Sequence, residues 1–102
     1  MEERHDIKRL KRRLVENPDI EVWIIGGQHD QAKLFQKALV GYGVVLTKPR
    51  LFSQSTQSID GLSPRNAIIL LCDFWWNNPV AHTDTFRWYM DNAKYVMQIG
   101  EL

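Results

Sequence analysis

The chain predicts an α/β domain built on a small parallel four-stranded sheet, and three observations carry that expectation. Ile20 to Gly27 reads Ile-Glu-Val-Trp-Ile-Ile-Gly-Gly, an apolar, β-branched run with almost no polar alternation that stops at two glycines. A strand of this type is buried on both faces, as in the centre of a parallel sheet. Ala67-Ile-Ile-Leu-Leu-Cys72 is a second run of the same kind. Helical patterns follow both, and the alternation of buried strand and helix is the signature of right-handed crossover units.

In chain order, residues 1–17 predict an N-terminal amphipathic basic helix, and residues 18–102 the α/β domain. The helix runs from Glu2 to about Glu16, with Ile7, Leu10 and Leu14 on a narrow apolar stripe and Val15 beside it. Asn17-Pro18 ends it. Lys8, Arg9, Lys11, Arg12 and Arg13 crowd its C-terminal half, where cations complement the helix dipole, and Glu2, Glu3 and Asp6 sit near its start. A solvated face of correct polarity accounts for these charges more simply than a phosphate-binding patch. The stripe is thin, suited either to docking on the sheet or to pairing with a second copy.

After the first strand, Gln28 or Asp30 can cap a helix beginning near Asp30, with Ala32, Phe35, Ala38, Leu39 and Tyr42 on one face and Gly41 and Gly43 as left-handed C-caps. Val44-Val-Leu-Thr47 is the expected second strand. Lys48 to Arg65 is polar and irregular, with room for a short helix around Ser58 to Leu62, and a connection of this length is usually functional. The strand at Ala67–Cys72 leads into Asp73-Phe-Trp-Trp76 and Asn77-Asn-Pro79. His82, Thr83 and Asp84 open a last helix whose Phe86, Tyr89, Met90 and Ala93 share a face, and Tyr95–Ile99 closes the sheet. The expected strand order is 2-1-3-4.

Composition bounds the rest. With 102 residues the chain is one domain that can bury a core without staples. Thirteen basic and twelve acidic residues give a net charge of +1, so the overall field does not advertise a nucleic-acid partner. A single cysteine, Cys72, excludes an internal disulfide framework and fits a reducing compartment. No apolar run approaches the roughly 20 residues that span a bilayer, and the first residues lack the apolar core of a signal peptide, so a cytoplasmic protein without a membrane partner is expected. Four tryptophans, three tyrosines and four phenylalanines exceed what so small a core accommodates, which points to a surface that binds something.

The order 2-1-3-4 creates a switch point between strands one and three, and ligands bind beyond the carboxyl ends of the strands at such a point. Gly26, Gly27, Gln28, His29 and Asp30 arrive there from one loop, and Asp73, Trp75, Trp76, His82 and Thr83 from the other, with Arg50 expected to reach in from the flank. Two helix N-termini opening on one crevice favour an anion such as phosphate. The glycine pair allows close backbone approach, although it lacks the third glycine of the dinucleotide fingerprint and serves equally as a tight turn. His29, Asp30, His82 and Asp84 include metal-ligand types, but hydrophilic residues are commonplace at helix starts and no metal site is assigned. The weak catalytic candidates are His82, Asp73, Asp84 and His29. No serine or cysteine nucleophile is marked out beside them, Cys72 being interior to a strand. Trp88 lies about 150° round the last helix from its apolar face, so it is expected on the surface as an interface residue, together with the Ile7, Leu10, Leu14 stripe.

Gly26-Gly27 after a buried strand, a helix, and a second buried strand whose loop carries Ala81-His82 at the next helix start form a pattern with a known likeness. Over roughly Ile20 to Leu102 it resembles a bacterial family of small Rossmann-like proteins of unknown function, found in Firmicutes and on mobile elements. Ala81 stands where that family has serine. The resemblance implies a Rossmann-like fold and the same crevice, and it implies no activity and no cofactor.

Three functional readings follow. The favoured one is a binding or regulatory module without catalysis, holding an anionic, nucleotide-like ligand in the crevice and using its aromatic surface for a protein partner or a homodimer. A nucleic-acid accessory would use the basic helix for phosphate and the tryptophans for stacking. A small metal- or histidine-dependent phosphoesterase would use His82 with the neighbouring carboxylates.

Overall fold

A computed structural model describes residues 4–46, 49–52 and 61–100. Its elements are α1 (His5–Glu16), β1 (Glu21–Ile25), α2 (His29–Gly41), β2 (Pro49–Leu51), β3 (Ala67–Leu71), α3 (Asp84–Asn92) and β4 (Tyr95–Gln98), with short 3-10 turns at Trp75–Asn77 and Pro79–His82. The strands form one sheet in the order β2-β1-β3-β4, and every neighbouring pair is parallel. This is the small Rossmann-like α/β arrangement with an added N-terminal helix.

Strand alternation divides the interior into two layers. Val22 and Ile24 of β1 and Ile68 and Leu70 of β3 face α1 and α2, where they join Ile7, Leu10, Ala32, Phe35 and Leu39. Trp23, Ile25, Ile69 and Leu71 face the other way, toward Phe86 and Tyr89 of α3. Because β1 and β3 are covered on both sides, they tolerate no polar alternation, which is why they read as continuous apolar runs. On the second side Trp23 meets Phe52 and Tyr89 edge-to-face at 5.7 and 5.3 Å.

Most of the α1 stripe is spent inside the domain. Ile7 and Leu10 are fully buried against the sheet, so they are not free to pair with a second copy, and Leu14 packs on the same cluster while keeping an exposed edge. Cations at both ends of the helix are engaged: Arg4, its N-cap, bridges Asp6 at 2.9 Å, and the Arg13 guanidinium lies 4.4 Å from the centre of the Tyr95 ring.

The second strand is not where its propensity placed it. Pairing with β1 uses Pro49–Leu51, two to four residues beyond the end of the expected Val44–Thr47 strand. Val44 is instead tied to the end of α2, donating its amide to the Leu39 carbonyl at 3.0 Å, and Val45 is left exposed. An amide satisfying a helix carbonyl is lost to a strand ladder. Of the two expected C-caps Gly43, at φ +86°, is left-handed, while Gly41 is the last residue of the helix. Proline suits the first position of an edge strand because it has no amide to offer the ladder. Thr47 and residues 58–60 of the short helix expected around Ser58 to Leu62 lie outside the described residues, and Gly61 and Leu62 are not helical.

Candidate functional site

The carboxyl ends of β1 and β3 bring the two predicted loops together, and they are stitched by the chain's own groups. Asn78, fully buried, donates its side-chain amide to the Gly26 carbonyl at 2.9 Å and accepts the Val80 amide at 3.0 Å. The Gly27 amide reaches the Asp73 carbonyl at 3.3 Å. A Cβ on Gly26 would stand 2.7 Å from Cys72 Sγ, and one on Gly27 would stand 2.9 Å from the Phe74 carbonyl oxygen. Both glycines are therefore required by the approach of the protein to itself.

Gln28 is the N-cap of α2, in a reciprocal box with Gln31 whose side chain takes the Gln28 amide at 3.1 Å. That box closes two of the terminal amides and leaves those of His29 and Asp30 without intrahelical acceptors. Thr83 caps α3 by accepting from Phe86 at 3.1 Å, and His82 belongs to the preceding 3-10 turn, where Nε2 lies 2.6 Å from the Trp76 carbonyl. Asp30 and Asp84 occupy the first turns of their helices and supply the negative charge the dipoles favour.

Phe74 dominates the rim. It is the one non-glycine residue at positive φ among those described, at φ 60° and ψ 23°, and its ring is 52% exposed. It stands between two openings. A polar hollow of about 410 Å³ is lined by Gly27, Gln28, Gln31, Phe74 and Asn77. An apolar one of about 220 Å³ is lined by Gln31, Leu34, Phe35, Ala38, Cys72, Asp73 and Phe74. Trp76, also about half exposed, lies 5.8 Å from Phe74 ring to ring. Trp75 turns inward onto the α3-side core, and its indole nitrogen has no partner among the described residues.

The other predicted residues divide plainly. Arg50 does not flank the crevice: its Cα is in register with Trp23 in mid-strand, two residues before the end of β1. Among the described residues no hydrogen bond joins His82 or His29 to Asp73 or Asp84, and no group of three His, Cys, Asp or Glu converges as metal ligands would. Burial, with the Asp73 charge beside it, pushes the Cys72 thiol up to about 11, so it is not a nucleophile at neutral pH. Phe74, Gln31, Asn77 and Asn78 were missed by sequence reasoning. Gln28 with Gln31 has capping-box spacing, and Asn78 before Pro79 has the form of a turn cap; neither the left-handed Phe74 nor the exposed Asn77 has such a signal.

The class defined is a small α/β domain of Rossmann-like topology with a partly self-sealed crevice at its switch point. Compared with protein-family models, curated proteins and solved structures, the chain finds no match.

Proposed function

We propose that the protein is a non-enzymatic binding module whose ligand is planar and anionic, nucleotide-like in chemistry, and docks against Phe74 at the mouth of the polar hollow. The observation that carries this reading is an aromatic ring held half exposed on a left-handed backbone. Such a conformation costs a non-glycine residue about 1–3 kcal/mol, and residues retained under that cost cluster at binding sites. The ring offers a stacking face beside Gln28, Gln31 and Asn77, and the first-turn amides of α2 favour the anionic part of the ligand. Catalysis is not favoured, because His82 Nε2 is engaged with the Trp76 carbonyl and, among the described residues, no hydrogen bond joins it to a carboxylate. The reading also includes self-association through Trp88, which is 50% exposed.

Thermal-shift and calorimetric titration with AMP, GMP, a dinucleotide and inorganic phosphate test the ligand class. Stabilisation by nucleotides is expected, with loss on Phe74→Gly, a change that relieves the left-handed strain and keeps the fold. No response to any nucleotide, or an equal response from Phe74→Gly, would refute it.

A further inference from the structure

Resting on the self-association reading, we infer that copies of this chain associate head to tail, with Trp88 of one copy seated in an apolar groove beside α1 of the next. The knob is acidic. Asp84 and Asp91 stand four residues before and three after Trp88, so both carboxylates share its outward face of α3, and all three side chains are exposed. Arg87 is exposed too, about 100° further round the helix.

The receiving groove holds about 320 Å³, and Leu14, Val15, Pro18, Gly43 and Val45 line it with Lys11. Val15 and Val45 are 80% and 78% exposed, the two most exposed large apolar side chains described. Basic residues outnumber acidic ones on the same flank of α1: Lys8 lies one turn before Lys11 and Arg12 follows beside it, with Glu16 as the one acid next to Val15, and Lys8, Arg12 and Glu16 are all exposed. An apolar knob between carboxylates thus meets an apolar groove beside ammonium and guanidinium groups.

Position then decides the symmetry. Leu14 packs on the α1/α2 layer, and α3 packs on the opposite face of the sheet. Two copies placed face to face cannot fill both grooves at once, so the contact is heterologous and propagates.

Sedimentation of two variants and their mixture tests this. Trp88→Glu lacks the knob, and Val15→Asp/Val45→Asp lacks the groove; all three positions are on the surface, and circular dichroism checks each fold. The wild type is expected to grow beyond a dimer with concentration. Each variant alone should stay monomeric, and an equimolar mixture should form a heterodimer and stop there. Raising salt from about 0.05 to 0.5 M should weaken association at least about tenfold. Should the valine variant misfold, Lys8→Glu/Arg12→Glu takes its place. A wild type that stops at a dimer, lost with Trp88→Glu but kept with the groove variant, identifies a two-fold Trp88 contact and overturns the head-to-tail arrangement alone. A mixture that stays monomeric overturns it as well. A wild type monomeric at high micromolar concentration overturns both it and the self-association on which it rests.

Discussion

Replacing Asn78 should cost more than replacing any other polar residue of the crevice. Its side chain joins the β1–α2 loop to the β3–α3 loop by giving to the Gly26 carbonyl and receiving from the Val80 amide, in complete burial. Asn78→Ala removes both bonds and leaves a carbonyl and an amide unsatisfied, each at about 1–3 kcal/mol, so the sum is about 3 kcal/mol after partial relaxation. At roughly 4–8 °C per kcal/mol for a domain of this size, the melting temperature should fall by roughly 12–24 °C. Asn78→Asp separates the two bonds. Its carboxylate still accepts from Val80 but faces the Gly26 oxygen without a proton to give, so at pH 7 it should be at least as damaging as alanine. Burial and the facing carbonyl raise the folded-state pKa of the new acid above its unfolded value of about 3.9, so the variant's stability deficit should shrink as pH falls toward 4, where the protonated acid donates as the amide did. Urea unfolding of the wild type and both variants from pH 4 to 8 measures this. A loss below about 0.5 kcal/mol for alanine, or an aspartate variant whose deficit does not change with pH, would refute the stitching role.

Two further outcomes follow from the same loops. Gly26→Ala puts a methyl group 2.7 Å from Cys72 Sγ and should cost about 1–3 kcal/mol, with part of that cost recovered in the double variant Gly26→Ala/Cys72→Ala; a strictly additive cycle would show that the thiol is not what the glycine accommodates. With its pKa raised to about 11 from an ordinary 9.0, Cys72 keeps its proton in the folded state where the unfolded chain loses it. Stability should therefore fall as pH rises from 9 to 11, more steeply in the wild type than in Cys72→Ala, and identical slopes in the two proteins would refute the shift.

The buried parallel strands, their order and the switch point were legible because they depend on periodicity and on the handedness of crossovers, both of which local residue types express. Trp88 was legible for the same reason: its angle on α3 follows from counting, and the structure leaves it half exposed. Trp23 and Trp75 show the other side of the rule, since one faces the core by strand register and the other by a turn that no periodic pattern describes.

What could not be read is where irregular chain goes, and β2 and the glycine pair are the clearest cases. Val44, Val45 and Leu46 have strand propensity, but left-handed Gly43 turns the chain so that the Val44 amide returns to α2, and a helix end held by its own bond outweighs a propensity worth at most about 1 kcal/mol. Gly26 and Gly27 read equally as room for a ligand or as a tight turn, and they are room for Cys72, Gln31 and Phe74. A glycine declares only that something comes close; whether that is a phosphate or the next loop depends on contacts between residues nearly fifty positions apart. The surface proposed above for a ligand is displaced from the glycines for that reason. With the floor of the crevice filled by the chain itself, the proposed ligand would meet the Phe74 ring and the polar side chains beside it, residues whose backbone geometry no local pattern announces.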